Sequence, residues 1–430
     1  MINTTQKKRI IIVGGGFGGV KVCQILGAKL PKDKFEIFLV DKNQGQTFLP
    51  LLYEIGALYG VEHDHPFHKM IKSLLVFDYS ILFNGLNISV IQAEVGSLHL
   101  KDKRIQIQSG EYLDFDYCVL AVGSVYDDLG IPGVEEYAFP FKTIDHAVAV
   151  NDKIEDLIVS HKLLYHAKNE HSVYSEHKPL VLSIIGGGPN GIELAGELSS
   201  FAGHFGHRHD FKLEECFKLR IFEAKRIMPN SHKIRNLALR RLAKLKVEVI
   251  EGCLISQVNS SSIALKNGLE YNSDMIIWTA GVKAPRLIEK SHGIELSDKK
   301  RIIVNNDNML LTGFDNIFAI GDCVDYIDSK GISSPLIAIS AINQGRVVSN
   351  YILKDLNFPI YSIFLTSKYP FIMPIGGRYA ILSMGKLVLH GWLAFIAREV
   401  VHIHYFVSVF PFYVALKKFF YLSRIFKRNN

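Results

Sequence analysis

Short β-branched runs that stop at small-residue turns set the rhythm of this chain. Residues 9–13 (RIIIV) end in a glycine cluster and a helical pattern follows, as a buried parallel strand feeding a helix requires. FEIFLVD (35–41) reads as a second strand closing on an acid, and DYCVLAVGS (116–124) as another buried strand ended by a turn. Between them, ISVIQAEVGSLHL (88–100) and RIQIQ (104–108) predict an antiparallel excursion. Residues 145–178 are helical at first, then polar and rich in histidine. The pattern restarts at LVLSIIGGG (180–188) and runs through LRIFEA (219–224), KVEVIEG (246–252) and DMIIWTAG (274–281). NIFAIGD (316–322) predicts one more buried strand, and PLIAISAINQGRVVSNYIL (335–353) a helix. Two strand–glycine turn–helix units thus recur about 170 residues apart, an internal duplication without any short-period repeat.

Each unit carries a glycine frame. The first is Gly14-x-Gly16-x-x-Gly19, and Asp41 follows 22 residues after Gly19 at the end of the next strand. In such a frame the first glycine permits a tight turn and the second lets backbone approach a pyrophosphate. The third lets helix and strand pack closely, with the helix N-terminus facing the phosphates. An acid at the position of Asp41 accepts hydrogen bonds from ribose hydroxyls. The second frame is Gly186-x-Gly188-x-x-Gly191, and Glu223 closes the strand after it. A carboxylate there bonds the adenosine 2′-hydroxyl and repels a 2′-phosphate, favouring NADH over NADPH, while Lys225 and Arg226 soften that choice. Glycine turns also arise for structural reasons alone, so strand, helix and acid together carry the reading. Two frames imply two dinucleotides held face to face, and the simplest chemistry is hydride transfer from nicotinamide to flavin. FAIGDC (318–323) assigns FAD to the first frame, because a strand ending in Gly321-Asp322 returns late to complete that domain. The plainer reading of Asp322 is an ordinary turn aspartate.

Composition narrows the class. Of 430 residues, 48% are hydrophobic and 21% charged, which excludes a disordered or fibrous chain. Cys23, Cys118, Cys216, Cys253 and Cys323 are scattered without a close pair, so neither a disulfide framework nor a zinc module is expected. A reducing environment fits that usage. The net charge of +7 is concentrated in the tail, where nine Lys and Arg from residue 366 onward face the single acid Glu399. That asymmetry argues against nucleic-acid binding and for a basic tail facing an anionic surface. The N-terminus reads as short and polar, without a signal peptide.

The segments IIVGGGFGGV, FLPLLYEIG (48–56), LAVGS (120–124), IPGVEEYAFPFKT (131–143), IIGGGPNGIELAGEL, IIWTAGV (276–282) and FAIGDC span nearly the whole chain. Together they resemble the type II, non-proton-pumping NADH:quinone oxidoreductases of the two-dinucleotide flavoprotein superfamily. The resemblance implies an α/β fold with two Rossmann-like domains of the glutathione-reductase kind and a C-terminal helical membrane-association region. It places the FAD domain at 1–144 and 301–365, the NADH domain at 145–300 and the membrane region at 366–430. FAD would be bound by Gly14, Gly16, Phe17, Gly18, Gly19, Asp41, Lys42, Ala121, Gly123, Gly321 and Asp322. NADH would be bound by Gly186, Gly188, Gly191, Glu223, Ala280 and Gly281. Glu193 matches a family carboxylate beside nicotinamide and flavin that handles protons or charge, and is the catalytic candidate; the alternative is a helix acid that merely caps or pairs. The quinone-side helix departs from the family pattern A-Q-x-A-x-Q-Q-G. Here it reads AISAINQG, with Ala338 and Gln344 kept and Ile339 and Asn343 at two glutamine positions. Either the quinone is held differently or the acceptor is another apolar oxidant.

The tail holds two apolar stretches, 387–397 and 400–416, divided by Arg398-Glu399, with Pro411 inside the second. Neither is a clean run of about 20 residues, so a helix lying in the interface is expected rather than a membrane span. Phe412, Ala415, Leu416, Phe419, Leu422 and Phe426 fall on one predicted face, and Lys417, Arg424, Lys427 and Arg428 on the other. A dimerisation helix or a lid is the competing reading. Arg398 and His402 resemble an Arg and a His four residues apart in the family's C-terminal helix.

His63, His65 and His68, and likewise His204, His207 and His209, cluster without a cysteine or carboxylate frame and are read as solvated, with no metal. Cys23 stands without the neighbour a flavin disulfide reductase needs. The expected function is that of a peripheral flavoenzyme on the cytoplasmic face of the inner (plasma) membrane. It would pass hydride from NADH to FAD and two electrons to a membrane quinone, with anionic lipid as partner and a homodimer left open. A sulfide:quinone oxidoreductase is the first rival; it needs paired cysteines, for which Cys118 and Cys323 are the candidates. A non-catalytic redox sensor is the second.

Overall fold

The computed structural model describes residues 7–57, 73–169, 179–208, 217–328, 331–360 and 369–426. They fall into two compact units. One comprises Met1–Phe48, Leu75–Val125 and Val282–Tyr369; the other comprises Leu49–Leu74, Tyr126–Gly281 and Pro370–Asn430. The change-overs expected from the sequence are at 144/145, 300/301 and 365/366.

The first unit is built on a five-stranded parallel sheet. Its order is Ile317–Ala319, Tyr117–Leu120, Lys8–Val13, Phe35–Asp41 and Ser89–Gln92. Ile10, Ile11 and Ile12 are all buried, as both faces of a central parallel strand must be. Each such side chain contributes about 1.5–3 kcal/mol relative to exposure. The strand stops at Gly14 and the helix Phe17–Lys29 begins at once. Against it packs the helix Ala338–Asp355, so closely that a Cβ on Gly345 would stand 2.8 Å from the Gly18 carbonyl oxygen. That helix starts at Ala338, three residues later than the apolar pattern suggests.

The expected antiparallel excursion is divided in two. Ser89–Gln92 joins the main sheet as its parallel edge strand, in register with Phe38–Asp41. Only Val95–His99, Arg104–Ile107 and Tyr112–Asp114 form the antiparallel ladder. An edge strand keeps one side open, so its alternating pattern resembles that of a half-exposed hairpin.

The second unit repeats the plan. Its parallel sheet runs Ala138–Pro140, Met275–Trp278, Leu180–Ile185, Phe217–Glu223 and Val247–Glu251. Trp278 is fully buried and its indole N–H donates to the Asp127 carbonyl at 2.8 Å, as a buried indole requires. The short helix Leu52–Gly56 packs against the helices Ile144–Asn169 and Pro189–Arg208.

The tail differs from its sequence reading. Leu387–Gly391 is the third strand of a small antiparallel sheet with Phe371–Pro374 and Ala380–Met384. Arg398-Glu399 divides nothing: both residues lie inside one helix, Trp392–Val409, which is followed by Phe412–Phe426. Among the described residues no helix is long and apolar enough to cross a membrane.

Candidate functional site

The first glycine turn is held by backbone and one carboxylate. Gly14 has φ of +100°, and its N–H donates to the Val40 carbonyl at 2.9 Å. A Cβ on Gly14 would collide with the Ala121 carbonyl, and one on Gly19 with the Gly14 carbonyl. The N–H of Gly15 donates to Asp41 Oδ2 at 2.5 Å, and that of Asn43 to Oδ1 at 2.7 Å. At Gly16, by contrast, a Cβ would meet no protein atom within 4 Å. Packing therefore demands glycine at 14 and 19 but not at 16, where its absent side chain keeps backbone open to a ligand. The helix Phe17–Lys29 has no side-chain cap and no acid in its first turn, so its leading N–H groups and positive dipole end suit a phosphate. Gly18 is buried under Ile320, and Phe17 packs edge-on to Phe48 at 6.1 Å. Lys42 is exposed beside Asp41.

The late return reaches the same end of this sheet. Ile317–Ala319 pairs with Tyr117–Leu120, which sets Gly321-Asp322 beside the turn Ala121–Ser124. Gly123 has φ of +66°, and Ser124 donates its hydroxyl to Asp322 Oδ2 at 3.2 Å. Gln344 is buried and accepts the Gly321 N–H on Oε1 at 2.6 Å. That bond ties the helix to the Gly-Asp turn and takes up the one glutamine that the quinone-side pattern had kept. Asn343 accepts from Arg346 at 3.0 Å, Ile339 is exposed, and Ala338 is half-buried at the helix start.

The second turn repeats the backbone and carboxylate bonds of the first. Gly186 has φ of +113° and donates to the Phe222 carbonyl at 2.8 Å. Its Cβ would stand 2.8 Å from the Ala280 nitrogen, and one on Gly191 would collide with the Gly186 carbonyl. Gly187 N–H donates to Glu223 Oε2 at 2.7 Å, and Lys225 N–H to Oε1 at 2.9 Å. Gly188, like Gly16, has no protein atom within 4 Å of its Cβ position. Thr279, overlooked in the sequence, donates to the Ile185 and Gly186 carbonyls at 2.9 and 3.0 Å and so braces the turn. Gly281 has φ of +72° and lies against Asp127.

Glu193 is not an isolated acid. On the same face of the helix Pro189–Arg208, one turn on, lies Glu197, and near both lie Tyr53, Glu54 and Arg398. Arg398 Nη1 donates to Glu54 Oε1 at 2.9 Å and to the Tyr53 hydroxyl, while Nη2 donates to Glu399 at 2.6 Å. The Glu54 side chain is 2% exposed. Burial pushes its carboxyl up and the Arg398 charge pulls it back. Burial likewise pushes Glu197 to about 8, with Glu54 adding to it and Arg398 and Arg241 opposing. Glu193 rises to about 8 from burial, against the pull of Arg398. The phenol of Tyr53 is pushed up by burial, and His402 is pushed down to about 3 by burial and then by Arg398. Burial opposes the Arg398 charge too, but Tyr53, Glu54 and Glu399 outweigh it and hold the guanidinium charged.

The hairpin ahead of the tail is fixed on the same helix. A Cβ on Gly196 would stand 2.7 Å from the Gly376 nitrogen, so glycine is needed for this approach. Arg241 donates to the Ile375 and Gly376 carbonyls at 2.9 and 2.6 Å and covers the Tyr379 ring. Glu54, Glu197 and Arg241 escaped the sequence reading. The spacing of Glu193 and Glu197 was the available signal, whereas nothing local pairs Glu54 with a residue 344 positions away.

The tail helices turn their apolar sides outward. On Trp392–Val409 the inward residues are Ala394, Arg398, His402 and Phe406, whereas Trp392 is 59% and Val400 58% exposed, with Leu393 and Val401 beside them. On Phe412–Phe426 the predicted apolar face is split. Ala415 and Leu422 pack inward, but Phe412 is exposed, as are Tyr413, Phe420 and Tyr421 on the side of Lys417 and Arg424. On this second helix, packing claims Ala415 and Leu422 and leaves Phe412, Tyr413, Phe420 and Tyr421 outside.

His63, His65, His68, His209 and Cys216 lie outside the described residues, as do the side chains of His204 and His207. Among the described residues no group of three His, Cys, Asp or Glu is placed to hold a metal.

A sequence model of the family described as pyridine nucleotide-disulphide oxidoreductase matches residues 8–345. A type II NADH:quinone oxidoreductase of Haemophilus influenzae is 27% identical over 368 residues, 80% of each chain. One of Staphylococcus aureus is 26% identical over 359 residues, 82% of this chain and 83% of that one. The structure of NDH2 from Plasmodium falciparum in complex with NADH matches with a TM-score of 0.77 at 19% identity, covering 96% and 97% of the two chains. At that identity it is the fold that is shared.

Proposed function

The chain belongs to the pyridine nucleotide-disulphide oxidoreductase family, and from that premise we propose that it oxidises NADH and reduces a quinone, with FAD as its resident cofactor. The observation that carries this reading is the pair of glycine turns with one hydrogen-bond pattern, each closed by a carboxylate. The names of the two relatives support the same substrates.

The residues fit the two dinucleotides. Gly14, Gly16 and Gly19, the uncapped helix start and Asp41 form a cradle for FAD, which Ala121, Gly123, Gly321 and Asp322 extend. Gly186, Gly188, Gly191, Glu223, Ala280 and Gly281 form the cradle for NADH. When bound, FAD supplies the relay that takes the hydride of NADH and passes an electron pair to the quinone. The protein supplies position and protons. Glu223 carries negative charge where a 2′-phosphate would lie and so selects NADH. Glu193 and Glu197, both pushed up to about 8, are carboxylic acids at neutral pH. Reduction of a quinone to a quinol takes up two protons, and these acids are groups in the second unit from which one is released.

The outward apolar face of Trp392–Val409 and the exposed Phe412, Tyr413, Phe420 and Tyr421 support a tail that lies in a bilayer surface. Lys417 and Arg424 add attraction to anionic headgroups on the cytoplasmic face of the inner (plasma) membrane. The sulfide reading is disfavoured by the cysteines. Cys118 and Cys323 are fully buried, and burial pushes both thiols far from the thiolate form, Cys323 to about 12.

Anaerobic stopped-flow absorbance tests the proposal. NADH should bleach the flavin much faster than NADPH, and a ubiquinone or menaquinone analogue should restore it. Flavin that sulfide bleaches and NADH does not overturns it.

A further inference from the structure

The two glycine turns differ at the residue that follows their first glycine. Where a Cβ on Gly15 would point, the hydroxyl of Tyr79 already stands; at the equivalent Gly187 the occupant is the Ile227 methyl group, 2.6 Å from the Cβ position. Tyr79 is fully buried, and its hydroxyl donates to the Gly15 carbonyl at 3.1 Å. Gly15 is thus gripped at both ends, its N–H by Asp41 and its carbonyl by Tyr79. Gly187 is gripped at its N–H by Glu223, and the Ile227 methyl that faces it donates nothing.

Tyr79 is itself held in place. Its ring stacks on Phe83 at 5.7 Å, and it opens the helical turn Tyr79–Leu82, which Asp78 caps by accepting the Ser80 N–H at 2.7 Å. The phenol stays protonated, because burial pushes it up and the Asp41 carboxylate adds to that by its charge and by accepting a hydrogen bond, so the hydroxyl remains a donor shared between Gly15 and Asp41. Losing the hydroxyl leaves a buried carbonyl at the apex of the turn without that partner.

Resting on the function proposed above, we propose that Tyr79 is a positioning residue that locks the first glycine turn in its binding shape. It makes the first dinucleotide a resident cofactor, while the second turn, which Thr279 braces at Gly186 but where a methyl group rather than a hydroxyl faces Gly187, exchanges its dinucleotide as a substrate. A turn that is already ordered loses less freedom when ligand arrives, and ligand leaves it more slowly.

The test compares the full-length holoprotein with Tyr79→Phe, following FAD release by the rise in flavin fluorescence on dilution. Release from the variant should be about five- to tenfold faster, the equivalent of one hydrogen bond. The affinity for NAD⁺ should be unchanged, and the melting temperature should drop less in the FAD-free chain than in the holo form. Incorporation of p-aminophenylalanine at position 79, which keeps a donor, should restore retention. A Tyr79→Phe chain that holds FAD as long as the wild type overturns the inference and leaves the proposed function standing. So does a variant whose FAD-free form melts lower by as much as its holo form, or failure of the amino analogue to restore retention. A wild-type chain without affinity for FAD overturns both.

Discussion

Arg398, in the C-terminal helix, donates to Glu54 Oε1 at 2.9 Å and joins segments 344 residues apart inside the second unit. It is the guanidinium among four carboxyls, bonded to Glu54 and Glu399 and acting through its charge on Glu193 and Glu197. Two charges withdrawn from water gain little over an apolar pair, but removing one of them is costly.

Arg398→Met should therefore destabilise the chain by about 3–5 kcal/mol, the usual cost of a broken buried pair. Adding Glu54→Gln should recover part of the loss, since the stranded charge is then gone. Urea denaturation of the single and double variants measures both. Equal midpoints for Arg398→Met and wild type rule out a structural role for the pair.

The acids make stability fall as pH rises. Glu197 titrates near 4.5 when unfolded and near 8 when folded, so between those values the folded chain holds the extra proton. Its contribution is present below about pH 4.5 and lost as pH approaches 8. Glu197→Gln should flatten the melting temperature across this window, with its largest advantage at the alkaline end. His402 acts oppositely. Pushed down to about 3, it contributes above pH 6.5 and is lost as pH falls, a decline that His402→Gln should remove.

The glycines separate packing from binding. Gly19→Ala drives a methyl into the Gly14 carbonyl, so it should lower both stability and FAD content. Gly16→Ala meets no protein atom within 4 Å, so it should lose FAD while melting as the FAD-free wild type does. Calorimetry beside the ratio of flavin to protein absorbance reads the two effects apart; identical behaviour of the two variants removes the assignment of Gly16.

These turns were legible because their constraints are local: a tight bend, a helix start and an acid one strand later all fall within one short stretch. The acid cluster was not, because Glu54, Glu197, Arg241 and Arg398 meet only after four distant segments have packed. Ser89–Gln92 misled because alternation does not tell a parallel edge strand from a hairpin. Phe412–Phe426 misled because aromatic residues lie all round it, and the choice of inward side falls to Ala415 and Leu422. Tyr79 carried no motif; only the fold brings it under Gly15.

Glu223→Ala should relax the choice of nicotinamide. The kcat/KM ratio of NADH to NADPH should fall by about tenfold or more, with NADPH use rising in absolute terms. An unchanged ratio shows that discrimination lies elsewhere.

Vesicle sedimentation tests the tail. Leu393→Glu with Val400→Glu places two charges on the outward face, at positions 63% and 58% exposed. Binding to anionic vesicles should drop while NADH oxidation by a soluble acceptor persists. Deleting the tail is a different experiment, since it also removes Arg398 from the interior.

The order of synthesis gives that arrangement a temporal meaning. The first sheet waits for Ile317–Ala319 to supply its last strand, and Glu54 waits for Arg398, made 344 residues after it. Until then a carboxyl destined for the interior has no cation to enter with, and the segment around it has reason to stay hydrated. A message broken before codon 398 yields a protein whose second unit must bury Glu54 without that cation, at a cost of about 3–5 kcal/mol. Such a product would present a looser, more protease-sensitive core, because the cation that Glu54 needs is encoded 344 residues after it.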